Sequence, residues 1–157
     1  MPLTPRLAVA DDIPELLRLR GVMFDAMDRR EDDGAWQESS ATLLREGFAR
    51  GDVAAFVVDH PDTPGRVVSG GVAVIVQRLG NARNPSGRYG HVQSMATDPE
   101  FRRQGLARAV LAALLAWFEQ RDIVAVDLHA SPMGEPLYRS MGFREGHEPE
   151  LRWRRPG

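Results

Sequence analysis

The stretch SMATDPEFRRQGLARAVLAALLAWF, residues 94–118, changes character twice within a few residues. It begins with a strand-like pattern, breaks at Asp98-Pro99, and places two arginines ahead of a lone glycine, Gly105. From there it becomes apolar on nearly every side, which predicts a helix over about 104–121 that packs against other elements. The stretch therefore predicts a strand, a basic turn and a buried helix in immediate succession.

The start of this helix is a candidate anion site. The first N–H groups of a helix have no partners inside it, and the helix dipole is positive at that end. Gly105 and Ala107 keep the first turn free of bulk, so a ligand can approach the backbone. Arg102, Arg103 and Arg108 add positive charge. These features suit a pyrophosphate, although an ordinary turn with solvated arginines has the same composition.

Other phosphate and nucleophile chemistries are excluded by residues that the chain lacks. A dinucleotide-binding fingerprint needs GxGxxG, and Gly105 has no glycine partners at that spacing. All 20 basic residues are arginine, which excludes a lysine-dependent phosphate loop and Schiff-base chemistry. The absence of cysteine excludes disulfides, thiolate metal sites and thiol nucleophiles. The four histidines lack metal-ligand spacing, so no metal is predicted: His60, His91, His129 and His147.

The composition is that of one soluble globular domain, which we predict over residues 4–155. The chain has 157 residues, of which 43% are hydrophobic and 27% charged. A net charge of -2 gives no general attraction to nucleic acid or to an anionic membrane, so any anion site must be local. The sequence contains no secretory signal and no run of about 20 apolar residues. We therefore predict a cytoplasmic protein with neither nucleic acid nor membrane as a partner.

The pattern of the whole chain predicts a mixed α/β fold with the order β-α-α-β-β-β-α-β-α-β. The predicted strands are 6–10, 53–60, 66–79, 88–97, 123–130 and a last one over 143–155. The predicted helices are one capped by Asp11 or Asp12, one over 36–51 that ends at Gly47 or Gly51, the long helix 104–121, and a short one over 134–141. Because the long helix crosses between two strands, those strands should be parallel, whereas the middle strands form antiparallel hairpins.

With these residues in place, the chain resembles the GCN5-related N-acetyltransferase (GNAT) superfamily. The core motif of that family is Arg or Gln, two residues, Gly, one residue, then Gly or Ala, after a strand that ends in Pro. Residues 102–107 match it directly after MATDP. A second family hallmark lies downstream, where Leu137-Tyr138 is followed after three residues by a Gly-Phe pair. The resemblance implies a central mixed sheet whose fourth and fifth strands splay apart.

The resemblance also implies acetyl-CoA as co-substrate and assigns residues to it. The free backbone groups of the strand before the turn bind the pantetheine arm in this family, and the turn binds the pyrophosphate. The positions thereby implied are Met95, Ala96, Thr97, Arg102, Arg103, Gln104, Gly105, Leu106, Ala107, Arg108 and Ser131. Ser131 stands where the family often carries an Asn, and its side chain has a shorter reach. Tyr138 matches the family's tyrosine that protonates the departing sulfur.

The implied activity is direct acetyl transfer to a primary amine of a small molecule or of a peptide N-terminus. With no cysteine for an acyl intermediate, direct attack within a ternary complex is expected. Backbone N–H groups around Met95 or Thr97 would hold the oxyanion. A different class of function also fits, namely a non-catalytic sensor that binds acyl-CoA, but the retained Tyr138 favours the enzyme. A monomer and a homodimer both stay open.

The general base and the acceptor site are less defined in the sequence. Candidates for the base are His129, Asp127, His91 and Glu135, each of which also fits a structural or surface role. In this family the connection between the first two helices usually walls the acceptor site. The candidate acceptor residues are Met23, Phe24, Met27 and His129, with Trp36 nearby. Acidic residues of that connection could attract a cationic amine or could form a solvated loop: Asp25, Asp28, Glu31, Asp32 and Asp33.

Overall fold

The structure is a computed structural model that describes residues 3–29 and 34–157. Its strands are β1 (Arg6–Leu7), β2 (Val53–Asp59), β3 (Val67–Gln77), β4 (Arg88–Thr97) and β5 (Val126–Leu128). Its helices are α1 (Ile13–Ala26), α2 (Ala35–Arg50), α3 (Leu106–Glu119) and α4 (Glu135–Ser140), with short 3-10 turns at Ala10–Asp12 and Pro99–Phe101. The predicted mixed α/β class is confirmed.

The five strands form one sheet in chain order, with helices on both faces. Neighbouring strands are antiparallel up to β4, and only β4 and β5 are parallel. Helix α3 packs on one face through side chains that include the fully buried Val110, Leu111 and Leu114. Helices α1 and α2 cover the other face through residues such as Leu19 and Leu44. The two apolar layers hold the sheet between them and fix the directions of α1 and α3.

The start of α1 is held by charged groups at the edge of the sheet. The carboxylate of Asp12 accepts a hydrogen bond from the Val9 N–H at 2.7 Å, which closes the 3-10 turn Ala10–Asp12 ahead of the helix. The guanidinium of Arg6 bridges this carboxylate and that of Asp59 at the end of β2, each at 2.8 Å. Of the two predicted capping residues, Asp12 directly precedes the helix, but its side chain makes no cap hydrogen bond to α1, because Val9 and Arg6 occupy its carboxylate.

One predicted element is wrong. Residues 143–157 form no strand, although Leu151 and Trp153 alternate with polar residues as strand residues do. Alternating side chains become buried only when a neighbouring strand pairs with them, and here Leu151 and Trp153 are 88% and 79% exposed. The strand predicted over 123–130 is also shorter, because Ile123 belongs to the turn after α3, where its N–H donates to the Phe118 carbonyl.

We predict that Gly90→Ala destabilises the fold. A Cβ at Gly90 in β4 would lie 2.7–2.9 Å from ring atoms of Phe118, which is 1% exposed in the core. Overpacking of this kind costs about 2 kcal/mol of unfolding free energy, which urea denaturation measures. The control is Gly21→Ala inside α1, where a Cβ meets nothing within 4 Å and where alanine stabilises a helix by about 0.5–1 kcal/mol. Equal unfolding free energies for both variants would contradict the prediction.

Candidate active site

The parallel strands β4 and β5 separate at the middle of the molecule. They pair over only three positions, from Gly90 opposite Val126 to Val92 opposite Leu128. Beyond Val92, β4 continues to Thr97, and no strand within residues 3–29 and 34–157 pairs with it on that side. The predicted splay between the fourth and fifth strands is confirmed, and it leaves a free backbone edge on the last part of β4.

An irregularity in β4 accompanies this separation. The register between β3 and β4 shifts between Gly70 and Val72, opposite residues 93–96. Ser94 has a φ of 60°, an uncommon conformation for a residue other than glycine. A Cβ at Gly71 would lie 2.4 Å from the Met95 sulfur, so the glycine makes room for that side chain. The bulge thus turns Met95 toward α3 and changes the direction of the free edge.

A cleft of about 1220 Å³ opens at the splay. Its walls come from the second half of α1, the end of β4, the turn before α3 with the first turn of that helix, and the segment leading into α4. The residues that line it are Val22, Met23, Ala26, Met27, Asp28, Arg29, Met95, Ala96, Thr97, Pro99, Phe101, Arg102, Arg103, Gly105, Leu106, Ala107, Arg108, Ser131, Pro132, Met133, Gly134, Leu137 and Tyr138.

The turn before α3 exposes backbone N–H groups to this cleft. Gly105 has a φ of 78° and Arg103 a φ of 62°, so the chain passes through left-handed conformations directly before the helix. The first hydrogen bond at the start of α3 runs from the Ala109 N–H to the Gly105 carbonyl at 3.1 Å, and the N–H groups ahead of it point out of the helix. A Cβ at Gly105 would meet nothing within 4 Å. The backbone is therefore open to a ligand at this point.

A buried ion pair, which the sequence analysis did not identify, holds the turn in place. The Asp98 side chain is only 4% exposed and accepts two hydrogen bonds from Arg18 of α1, at 2.8 and 3.0 Å. Arg18 also donates to the Val67 carbonyl at 2.8 Å and to Glu15. The hydrogen bonds to Asp98 and Glu15 raise the pKa of the Arg18 guanidinium above its ordinary value. These hydrogen bonds of Arg18 therefore hold the turn before α3 against α1 and β3.

The three predicted arginines have different surroundings. The Nε of Arg102 donates to the Thr97 carbonyl at 3.1 Å, and a terminal nitrogen of Arg108 donates to the Ser140 hydroxyl at 2.7 Å. The side chain of Arg103 is exposed and forms no hydrogen bond or ion pair with another residue of the described ranges. Arg102 and Arg108 thus have structural partners as well as places on the cleft wall, whereas Arg103 is available to a ligand.

Tyr138 of α4 lies on the opposite wall of the cleft. Its ring is packed against Phe143, with the centroids 6.1 Å apart, and the residue is 9% exposed. Its hydroxyl forms no hydrogen bond with a side chain or backbone group of residues 3–29 and 34–157, and it is not among the buried side-chain atoms that lack a partner. Burial of the residue raises the pKa of Tyr138 above its ordinary value, so the hydroxyl carries its proton at neutral pH. The cleft wall therefore carries a protonated hydroxyl that a ligand in the cleft can reach.

Ser131 lies near this tyrosine. Its hydroxyl oxygen accepts the Gly134 N–H at 3.2 Å, and its carbonyl accepts the Glu135 N–H at 2.9 Å. Because the hydroxyl oxygen accepts in that contact, its own O–H can still be donated into the cleft.

Of the residues assigned to acetyl-CoA from the resemblance, Gln104 is the one that does not line the cleft.

None of the four predicted base candidates lines the cleft. His91 Nδ1 lies 2.6 Å from an Asp127 carboxylate oxygen, and Arg78 contacts the same carboxylate at 3.2 Å. His129 packs edge-on against the His91 ring and pairs with Glu150 at 2.7 Å. Glu135 lies 3.5 Å from Arg139 at the surface. The two histidines and Asp127 therefore form a separate cluster on β4 and β5.

The predicted acceptor residues are divided between two environments. Met23 and Met27 line the cleft, and Asp28 joins them. Phe24 instead packs edge-on against Trp36, with the ring centroids 5.3 Å apart. Of the predicted acidic residues, those at 31–33 lie outside the described ranges. The second half of α1 therefore supplies an apolar wall with one carboxylate beside it.

The glycine turn and the free edge of β4 are suited to binding acetyl-CoA. A glycine turn open to the cleft offers N–H groups to a pyrophosphate, and the free β4 edge offers backbone groups to an amide-containing arm.

Within residues 3–29 and 34–157, no group of three or more His, Cys, Asp or Glu could hold a metal ion. In the same ranges, no helix has the length and apolar character to cross a membrane.

Comparison with known proteins points to one family. Residues 70–152 match the family model of the acetyltransferase (GNAT) domain. A glucosamine 6-phosphate N-acetyltransferase of Trypanosoma brucei brucei is 30% identical over 107 residues, which cover 66% of this chain and 67% of that protein.

Solved structures share the fold. An acetyltransferase of Clostridium acetobutylicum, crystallised with acetyl-CoA, superposes with a TM-score of 0.85 at 22% identity and covers 96% of both chains. A GCN5-related N-acetyltransferase of Ralstonia eutropha gives a TM-score of 0.82 at 24% identity, with 97% of this chain and 99% of that chain covered.

Proposed function

Since the chain belongs to the GNAT family and is an acetyl-CoA-dependent N-acetyltransferase, we propose that it acetylates the primary amine of a small molecule by direct transfer. The observation that carries this proposal is the cleft at the splay, which brings the free β4 edge, the glycine turn and the Tyr138 hydroxyl to one space. The named activity of the trypanosomal relative, on an amino sugar phosphate, supports a small-molecule acceptor.

In the proposed arrangement, the turn at Gly105 binds the pyrophosphate and the end of β4 binds the pantetheine arm. When bound, acetyl-CoA supplies an activated acetyl group as a thioester. Backbone N–H groups at Met95 or Thr97 stabilise the negative charge that develops on the acetyl oxygen. The apolar wall of Met23 and Met27 bounds the space from which the amine approaches.

The proton balance of the reaction assigns a role to Tyr138. An alkylammonium has a pKa of about 10.4, so it must first lose one proton to become a nucleophile, and water in the open cleft can accept that proton because the predicted bases do not line the cleft. The amine nitrogen then forms a bond to the acetyl carbon, the carbon–sulfur bond breaks, and the nitrogen loses a second proton. The departing sulfur takes a proton from the Tyr138 hydroxyl, and the second amine proton, passed on through water, restores that hydroxyl. Thiols have a pKa of about 8.5, so this donation assists the reaction without being indispensable.

The test of the proposed function is a panel of acceptors incubated with acetyl-CoA and followed by release of free thiol. The panel contains glucosamine, glucosamine 6-phosphate, an aminoglycoside and a short peptide with a free N-terminus. We expect turnover of at least one small amine above that of the peptide. Tight binding of acetyl-CoA without turnover of any amine would favour the non-catalytic sensor instead.

We also predict that Arg103 binds the 3′-phosphate of CoA, because it is the arginine of the turn without a partner in the described ranges. Arg103→Ala should weaken acetyl-CoA binding about tenfold, as expected for a lost charge-assisted hydrogen bond. The same change should leave binding of dephospho-acetyl-CoA unaltered, which calorimetry can measure for both ligands. Arg83→Ala, an exposed arginine in the loop between β3 and β4, is the control. An equal loss for both ligands would contradict the assignment.

A further inference from the structure

Arg20, which comes just before the residues of α1 that line the cleft, has no acidic partner within residues 3–29 and 34–157. Arg20 of α1 is partly buried, and its guanidinium lies 4.8 Å from the centre of the Phe24 ring. No ion pair or hydrogen bond joins it to another residue within 3–29 and 34–157. Burial lowers the pKa of Arg20 below its ordinary value, whereas nearby Arg18 has carboxylates that act in the opposite direction. Fully buried charges in proteins are normally paired. This guanidinium is only partly buried and faces the Phe24 ring, which leaves its N–H groups placed to receive an anion.

Arg20 lines a small cavity whose other polar groups are also hydrogen-bond donors. The cavity has a volume of about 100 Å³ between α1, α2 and β4. Among the described residues, its polar side chains besides Arg20 are those of Ser40, Gln93 and Ser94, and no Asp or Glu of residues 3–29 and 34–157 lines it. None of these three side chains has a hydrogen-bond partner recorded in the described part of the chain.

The remainder of the cavity wall is apolar. It consists of Leu16, Leu17, Leu43, Leu44 and Val72. One water needs only about 10–15 Å³ of such a cavity, so the space also accommodates a tetrahedral oxyanion. The described lining thus combines a cation with hydroxyl and amide donors and includes no carboxylate, a combination that suits a phosphate more than an amine.

This cavity is adjacent to the proposed transfer site. Arg20 precedes Met23, which lines the cleft, by three residues, or about 4.5 Å along the helix. On β4, Gln93 and Ser94 directly precede Met95, which also lines the cleft. A molecule the size of one sugar ring could therefore extend from the cleft to the cavity.

We propose that the cavity at Arg20 is a phosphate subsite for the acceptor, so that the substrate is a small primary amine carrying a phosphate monoester. This assignment rests on the proposed function, because it places the amine end of the substrate in the cleft. Arg20 supplies the charge, and Ser40, Gln93 and Ser94 supply further hydrogen bonds to phosphate oxygens.

Kinetics with matched acceptors test the subsite. Arg20→Met keeps an apolar side chain over Phe24 and removes the charge. It should raise the KM for glucosamine 6-phosphate about tenfold or more, with little change in kcat and in the KM for glucosamine. Arg20→Lys should restore part of the difference. Arg45→Met, at an exposed position of α2, is the control and should change none of these values. An equal rise in KM for both acceptors would overturn the subsite.

A binding measurement separates failure of the subsite from failure of the proposed function. With acetyl-CoA at saturation, so that the turn at Gly105 is already occupied, inorganic phosphate should bind the wild type and the Arg45→Met variant. It should bind Arg20→Met about tenfold more weakly, as read by calorimetry, and urea denaturation checks that each variant is folded. Phosphate binding that is absent, or that is independent of Arg20, would exclude the subsite even if an amine is acetylated. Binding through Arg20 without turnover of any amine would leave the subsite standing and reject the proposed function.

Discussion

Gly105→Val is expected to raise the dissociation constant of acetyl-CoA about 100-fold, equivalent to a loss of about 2.7 kcal/mol of binding free energy. The glycine has a φ of 78° and borders the cleft at the start of α3. A valine side chain here would stand in front of the N–H groups that are expected to contact the pyrophosphate. Calorimetric titration with acetyl-CoA measures the effect.

The fold should tolerate this change. A Cβ at Gly105 meets no atom within 4 Å, so the side chain extends into the cleft and contacts no core residue. The remaining cost is the strain of a β-branched residue in the left-handed region, about 1–3 kcal/mol. Gly51→Val is a matched control, because Gly51 has a φ of 87°, equal free space and a position at the end of α2. Gly51→Val introduces the same backbone strain outside the cleft, so its dissociation constant for acetyl-CoA should equal that of the wild type.

Comparable affinities of the Gly105 and Gly51 variants would mean that the ligand does not approach the backbone at this turn. Gly105→Ala should have an intermediate affinity for acetyl-CoA, because its single methyl group excludes less space than the valine side chain. A graded loss from glycine through alanine to valine is the outcome expected from steric exclusion of a bound phosphate.

The turn at Gly105 was predictable from sequence because its chemistry is local. A strand that ends just before Asp98-Pro99, a glycine that takes a positive φ and an apolar helix follow one another within a few residues, and each has its own pattern. The parallel pairing of β4 and β5 was predictable for a similar reason, since the long helix α3 crosses between these two strands. The splay followed only from the family resemblance.

The features that were missed depend on contacts between distant parts of the chain. Arg18 and Asp98 are 80 residues apart, and neither lies in a pattern that distinguishes it from a surface charge. The isolation of Arg20 could not be read from the sequence either, because it depends on which carboxylates the fold leaves out of reach. The last predicted strand was wrong for the same reason, since an alternating pattern at Leu151 and Trp153 does not supply a partner strand.

The base candidates illustrate a related limit. Alternation along β5 correctly brought Asp127 and His129 to one face, and the structure adds His91 from β4 at 2.6 Å from Asp127. Periodicity defines the face of a strand but not the distance to a cleft, and this cluster lies on the paired part of the two strands. The cleft begins only where β4 and β5 have separated, and these histidines lie outside its wall because they belong to the part where the strands still pair.

Tyr138→Phe is expected to lower kcat about 100-fold, the effect typical of removing one general acid, on whichever amine the acceptor panel identifies. The phenylalanine ring retains the packing against Phe143, and only the hydroxyl is lost. Affinity for acetyl-CoA should change little, so kcat and kcat/KM should fall together, as for an interaction made only in the transition state. The control is Tyr89→Phe, since the hydroxyl of the other tyrosine of the chain contacts Asn81 outside the cleft.

Two further measurements separate proton donation from packing. Thioesters with a more acidic leaving thiol need less protonation, so the difference between wild type and Tyr138→Phe should shrink with them. Burial raises the pKa of Tyr138 above its ordinary value of about 10, and the donor is active only below its pKa. The ratio of the two rates should therefore stay constant from neutral pH to about 10. A Phe variant with full kcat at all these pH values would leave Tyr138 as a packing residue of α4, and the thiolate would then leave without protein assistance.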